Sequence, residues 1–399
     1  MRVVSRLQEA GYEAYLVGGC VRDLLLGREP KDFDVATNAH PDQVQHLFRN
    51  CRLIGRRFRL AHVRFGREIV EVATFRGGAD QEEAADHKNE SGRVMRDNVY
   101  GSTLEEDAWR RDFTVNALFY DSTDGSVIDY TGGLADLWEG SLRLVGDPQL
   151  RYREDPVRML RAVRFAAKLG FRIHPGSEAP ILEFGHLLED IPPARLFEEV
   201  LKLFMGGCAV QTFELLRHYQ LFRHLFPQTE ASLEQPGPHL GLLVQALTNT
   251  DTRIAEDKPV TPAFLFAALL WGPMRQLAEL PRGPEGNEVQ AQEIAAERVV
   301  TRQVQRVAVP KRFTVPMREI WALQPRLWQR SGKRPQRLLT HPRFRAAYDF
   351  LLLRNAAGEP LQELCDWWTE FQTAQGGEQE VMITRAPVTA TKKRRRRRR

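Results

Sequence analysis

Asp32 and Asp34 stand two residues apart in KDFDVATNA, residues 31–39. Residues i and i+2 of a strand point to one face, so the two carboxylates are expected to project together, about 7 Å apart along the chain. Phe33 and Val35 would then turn into a core. Like charges this close repel unless something positive lies between them. Such a pair suits Mg²⁺, which one or two carboxylates hold together with substrate phosphates. An Asp-rich strand end running into solvent has the same composition. Glu71, in IVEVATF (69–75), alternates with Val70 and Val72 and offers a third carboxylate to complete a metal set.

Three further stretches carry groups able to handle a nucleotide. AYLVGGCVRDLLLG (14–27) reads as a buried strand, Gly18-Gly19, and a short helix with Arg22 that stops at Gly27. Glycines between a strand and a helix let backbone amides approach an anion, although a tight turn uses the same residues. RRDFTVNAL (110–118) sets Arg111 beside Asp112, with Asn116 four residues later on the same face of a helix. Asp112 also suits a helix cap. In REDPVR (153–158), Pro156 fits a first helical turn. Glu154 and Asp155 then stand four and three residues before Arg158, on a shared face, as a surface ion pair also would.

These groups need elements to position them. Residues 1–140 alternate strand-like and helix-like segments. AHVRFGREIVEVATFR (61–76) reads as a hairpin turning near Gly66, and the polar stretch 76–102 reads as a loop. After Gly146 the pattern is helical, with Val157, Leu160, Val163 and Ala167 in phase and Phe165 out of phase. The fold class expected is α+β: a head at 1–140, a helical neck at 141–205, a helical body at 206–375 and a disordered Arg-rich tail at 376–399.

With these motifs in order, the chain resembles the class II tRNA nucleotidyltransferase and bacterial poly(A) polymerase group, within the polymerase β-like superfamily. LVGGCVRDLLLG, KDFDVAT, EVATFR, RRDFTVNAL, DYTGGLADL and REDPVRMLRAVRFAAKLGF carry the resemblance. It covers essentially everything before the tail. It implies that Asp32, Asp34 and Glu71 hold two Mg²⁺, with Mn²⁺ a possible substitute, and that Asp112 belongs to the active site. Gly18, Gly19, Arg22, Arg111 and Asn116 would bind the ribose and triphosphate. Glu154, Asp155 and Arg158 would read the base edge, and Arg161 and Arg164 would face triphosphate or primer RNA. GRRFRLAHVRFG (55–66), IPPARLFEE (191–199), TDTRI (250–254) and HPRFRAAYDFLLLR (341–354) side with the poly(A) polymerase branch. The expected activity is template-independent transfer of AMP from ATP to RNA 3′ ends, in RNA processing and decay, with no DNA specificity. CCA addition to tRNA is the alternative, sharing every head motif. A catalytically inactive RNA-binding relative is a third, disfavoured by the intact carboxylates.

Composition narrows the rest. There is no long apolar run, so a membrane-spanning helix is not expected. Residues 1–11 lack the apolar core of a signal peptide. Cys20, Cys51, Cys208 and Cys365 form no CxxC pair, so zinc and disulfides are disfavoured and a reducing cytoplasm is expected. The net charge is +5, and the eight consecutive cations at 392–399 exceed it, leaving the remainder net negative. Arg56, Arg57 and Arg59 form a second basic cluster for RNA. The tail (Lys392, Lys393, Arg394, Arg395, Arg396 and onward) suits RNA, or RNA-decay proteins, as a polyanion-seeking arm. Deleting 392–399 should weaken RNA binding and flatten its salt dependence, each lost single-strand phosphate contact contributing about 0.7 to the log–log slope. A binding titration across salt checks this; an unchanged slope contradicts it.

Overall fold

The computed structural model describes residues 1–55, 59–66, 68–77, 100, 103–279 and 288–386. They form two compact units, Met1–Pro192 and Pro193–Arg399.

The first unit opens with α1 (Arg2–Glu9), whose Val3, Val4 and Leu7 are buried. Then follow β1 (Ala14–Val17), α2 (Gly19–Leu25), β2 (Asp34–Thr37), α3 (Pro41–Leu47), β3 (Cys51–Ile54), β4 (Leu60–Phe65) and β5 (Glu68–Thr74). The seven-stranded sheet runs β3-β4-β5-β2-β1 and continues through β6 (Leu118–Tyr120) and β7 (Val127–Asp129). Only the β2–β5 pair in it is parallel. Val35, Ala36 and Thr37 of β2 are all buried, because this strand lies inside the sheet with both faces covered. The hairpin forms as expected, β4 against β5, with Gly66 at φ 63°. Of the expected loop, Arg76 and Tyr100 make an isolated antiparallel bridge, and most of the remainder lies outside the described residues.

The metal-motif strand starts later than expected. Its ladder begins at Asp34, opposite Val17, so Asp32 and Phe33 precede it. The cause is the brevity of β1: Gly18, at φ 75°, turns the chain into α2 and leaves no partner for earlier residues. Phe33 is accordingly 40% exposed rather than in the core.

Helices then line the unit: α4 (Leu104–Arg110), α5 (Gly133–Glu139), α6 (Pro148–Glu154), α7 (Val157–Leu169) and α8 (Pro175–Phe184). Strands β8 (Ser141–Leu142) and β9 (Arg172–Ile173) pair in parallel. RRDFTVNAL is not one helix: α4 ends at Arg110, and a 3₁₀ turn holds Thr114–Asn116. REDPVR is also broken, with Asp155 extended (φ −147°, ψ 93°) between α6 and α7. The residue before a proline avoids the helical region, and Pro156 enforces that here.

The 3₁₀ turn is buttressed by α5. Asp129 caps the α5 start through the N–H groups of Gly133 (3.0 Å) and Leu134 (2.9 Å). Thr114 Oγ1 donates to Asp136 at 2.7 Å, and Arg143 Nε donates to the same carboxylate.

In the second unit the elements among the described residues are all helical. Trp321 and Trp368 are buried, their indole N–H groups donating to the carbonyls of Ala267 (3.1 Å) and Leu327 (2.9 Å). Gln324 is buried between the Ala347 carbonyl and Arg354. The segment expected to be tail from 376 begins with a helix, Gly376–Arg385, boxed by Gln375 and Glu378. Its Met382 and Ile383 pack on the Trp368 cluster, which supplies the apolar contact that the tail composition does not advertise. No helix among the described residues is long and apolar enough to cross a membrane.

A Cβ on Gly133 would lie 2.2 Å from the Thr114 carbonyl oxygen and 3.1 Å from Leu118 Cδ2. Gly133→Ala should therefore cost about 1–3 kcal/mol of stability by overpacking. Denaturant unfolding checks this, and an unshifted midpoint contradicts it.

Candidate active site

Asp34 opens β2 directly opposite Glu71 in the parallel ladder. Burial, the Glu71 charge and the Asp32 charge push the Asp34 carboxyl up to about 6, while Arg111 works against them. Glu71 is about half exposed, and its Oε1 lies 3.2 Å from Nε2 of His62, its cross-strand partner on β4. Asp32 is exposed. Among the described residues no three His, Cys, Asp or Glu side chains are gathered closely enough to hold an ion as they stand. The donor set nonetheless fits a hard divalent cation: it is all oxygen, and burial together with the neighbouring Glu71 and Asp32 charges disfavours a bare Asp34 carboxylate, which a cation would relieve.

A lattice of arginines and amides borders these carboxylates. Gly18 leaves room for Arg111, whose Nη1 would lie 3.3 Å from any Cβ placed there. Arg111 is anchored by Asp107 (2.8 Å), and its guanidinium lies 5.1 Å from the Phe119 ring centroid. Arg22 is buried, with Nη1 2.5 Å from Asn116 Oδ1 and Nε 2.8 Å from Asp23. Asn116 in turn donates to Asp112 Oδ1 at 3.3 Å. Arg161, from α7, donates to Asp112 Oδ2 through Nε (2.7 Å) and Nη2. Burial acts to raise the Asp112 pKa, but Arg161's charge and hydrogen bonds, then Asn116 and the Phe113 N–H, hold it below the usual carboxylate value. Asp112 therefore caps no helix; it is the junction between α7 and the 3₁₀ turn.

The base-edge candidates form a second group. Glu154 Oε2 accepts from Arg151 Nη1 (2.9 Å) and Arg158 Nη1 (2.5 Å). Arg158 also donates to the Arg151 carbonyl at 2.7 Å. Asp155 is buried, and its Oδ1 accepts from the Val157 N–H at 3.4 Å. Arg151 joins this group to the first by donating through Nη2 to the carbonyls of Arg110 (2.9 Å) and Arg111 (2.5 Å). Sequence reasoning missed Arg151, and the only signal was its spacing three residues before Glu154. His62 and Asp107 were missed too, since strand pairing and helix phase decide them. Gly19 begins α2, where a Cβ would meet Arg22 Nη2 at 3.6 Å. Arg164 lies on α7 with its guanidinium 4.5 Å from the Phe165 ring centroid. Arg59 stands apart, 3.4 Å from Asp42 of α3 with both side chains exposed. Arg56, Arg57 and the tail cations Lys392, Lys393, Arg394, Arg395 and Arg396 lie outside the described residues.

Family models match along the chain: a poly(A) polymerase head domain over 14–143, a probable RNA and SrmB-binding site of polymerase A over 170–233, and a polymerase A arginine-rich C-terminus over 285–399. Poly(A) polymerase I of Salmonella typhi is 51% identical over 404 residues, spanning 99% of this chain and 87% of the relative. A CCA-adding enzyme of Lactobacillus helveticus is 39% identical over 223 residues, spanning 55% of this chain and 53% of the relative. Among solved structures, the Bacillus stearothermophilus CCA-adding enzyme in complex with CTP superposes with a TM-score of 0.62 at 25% identity, covering 98% of this chain and 88% of that one.

Asp34 yields a stability prediction for the metal-free protein. A carboxyl whose pKa is raised on folding binds protons more tightly folded than unfolded, so its ionisation destabilises the fold. That cost is absent below the unfolded pKa near 4 and complete above about 6. In chelator, Asp34→Asn should melt above wild type at about pH 7.5, with the gap closing as the pH falls toward about 4.5. Circular dichroism melts check this; a variant less stable than wild type at the higher pH contradicts it.

Proposed function

This chain belongs to the tRNA nucleotidyltransferase and poly(A) polymerase family, on its bacterial poly(A) polymerase branch, and we propose that the residues above carry template-independent addition of AMP from ATP to RNA 3′ ends. It is a nucleotidyltransferase, with ATP as substrate and divalent metal as cofactor. The observation that carries the catalytic assignment is the register of Asp34 against Glu71 with Asp32 alongside, a carboxylate group in which burial and the neighbouring charges push the Asp34 pKa up. Those three residues would hold Mg²⁺, or Mn²⁺ in its place. Two such ions, when bound, lower the pKa of the RNA 3′-hydroxyl and take up charge on the departing pyrophosphate.

The chain's own residues do the rest. Gly18 and Gly19 keep the approach to α2 free of side chains, so backbone N–H groups and Arg111 can meet the triphosphate. Arg22 and Asn116, hydrogen-bonded to each other, would face the ribose as one unit. Asp112 fixes Arg161 by two hydrogen bonds that converge on its Oδ2, and so presents α7 to the nucleotide. Glu154 and Asp155 accept from an exocyclic amine, and Arg158 donates to ring acceptors. Arg151 braces Glu154, which favours a single pocket shape. Arg164, Arg59, Arg56, Arg57 and the tail would meet RNA phosphates. The functional division we propose is catalytic head 1–140, base-reading neck 141–205 and RNA-binding body 206–375. We place the activity in cytoplasmic RNA processing and decay, with decay proteins as candidate partners of the tail.

The CCA-adding relative aligns with about half of this chain, whereas the poly(A) polymerases align with 99–100% of it and 87% of their own length. A CCA-adding pocket must accept CTP and then ATP, while a poly(A) pocket can stay fixed. A mismatched base edge leaves buried donors unpaired at about 1–3 kcal/mol each. Primer extension on unstructured RNA should give long A runs with ATP and little product with CTP. Asp32→Asn or Asp34→Asn should abolish both. Efficient addition of two C and one A to a truncated tRNA, followed by arrest, would overturn the proposal.

A further inference from the structure

Arg161, Arg164 and Lys168 follow one another on α7 at intervals of three and four residues, which puts them on one face over about two turns. Their neighbours are also cations. The guanidinium groups of Arg161, Arg164 and Arg22 lie 5.6, 4.5 and 5.5 Å from the centroid of the single Phe165 ring. The loop joining α2 to β2 closes the group, because Arg28 donates to the carbonyls of Lys168 (3.4 Å) and Leu169 (3.3 Å). The same loop carries Lys31, next to Asp32. The Lys168 ammonium is pushed below its usual range, first by burial and then by Arg22, Lys31 and Arg164, with Asp23 opposing.

Two of the nearby carboxylates are already engaged, and Asp32 belongs to the candidate metal set. Asp23 is held by Arg22 at 2.7 Å, and Asp112 by Arg161. Lys31 and Lys168 form no ion pair with a described carboxylate. The helix end offers Lys168 little relief, since Arg28 already takes its last carbonyls. Like charges gathered in this way favour the approach of an anion.

We propose that Lys31 and Lys168, together with Arg164, form a phosphate-binding strip that continues from the catalytic carboxylates along α7. It deepens the assignment above and rests on it for the identity of the phosphates, which belong either to the distal end of the nucleotide or to the RNA primer. Lysine suits this task, as a compact charge on a flexible stem that can follow a phosphate through successive additions.

The test uses the full chain carrying Lys31→Gln and Lys168→Gln, with Lys168→Gln alone as a second variant should the pair lose stability. Two constants are measured: the KM for ATP at saturating primer, with inorganic tripolyphosphate as competitor, and the Kd for single-stranded RNA without ATP across a salt series. A rise of about fivefold or more in the ATP KM and the tripolyphosphate Ki identifies nucleotide phosphates. A similar rise in RNA Kd, with a salt slope shallower by about 0.7 per lost contact, identifies the primer. Arg at both positions should restore whichever constant moved. Both constants within about twofold of wild type, in a folded variant, would overturn the strip. Wild-type protein that binds tripolyphosphate or RNA through Lys168 yet transfers no adenylate would instead overturn the enzymatic assignment and support the strip.

Discussion

The first unit is organised around an uncompensated negative charge. The one parallel pairing in its large sheet sets Asp34 against Glu71, and the short β1 leaves Asp32 just ahead of them. Carboxylates brought together this way oppose folding unless cations approach. Arg111, itself paired with Asp107, works against the repulsion at Asp34, and His62 lies beside Glu71. On the reading proposed above, a divalent metal and a nucleotide would complete this site. Substitutions that relieve the charge should stabilise the fold and end the chemistry, the usual opposition between stability and function.

The surrounding arginines are not interchangeable decoration. Buried charges need partners with good geometry, and the chain Arg22–Asn116–Asp112–Arg161 meets that need across α2, the 3₁₀ turn and α7. Arg151 extends the lattice from Glu154 to the backbone at the end of α4. A nucleotide bound to this lattice would therefore sense α2, α6 and α7 at once. Asp129, Gly133 and Asp136 keep the 3₁₀ turn in place from behind.

Much of this was legible in the sequence, where the signal is local. The period-two pattern around Glu71 marked β5, and Gly66 marked its hairpin. The Gly18-Gly19 turn between strand and helix was equally plain. Signals that depend on pairing were not legible. Phe33 was expected inside because Asp32–Val35 alternates, yet the length of β1, not the alternation, decides where the ladder starts. Asp155 was expected on a helix face with Arg158, and the residue before Pro156 left the helix instead. Phe165, out of phase with the α7 core stripe, proves to be the surface on which three guanidinium groups assemble. The helix at Gly376–Arg385 was hidden by a polar composition, its stabilising contacts coming from two residues against a distant tryptophan cluster.

The central claim is that the Asp32, Asp34 and Glu71 charges form one unit completed by divalent metal. It is tested most directly by titrating Mg²⁺ into the chelator-stripped protein and following its melting temperature without nucleotide or RNA. A cation that binds only the folded state raises stability with its concentration. The account predicts a rise that saturates in wild type and is lost in Asp32→Asn/Asp34→Asn, which starts from the higher melting temperature. An equal rise in both proteins, or none in wild type, would contradict it.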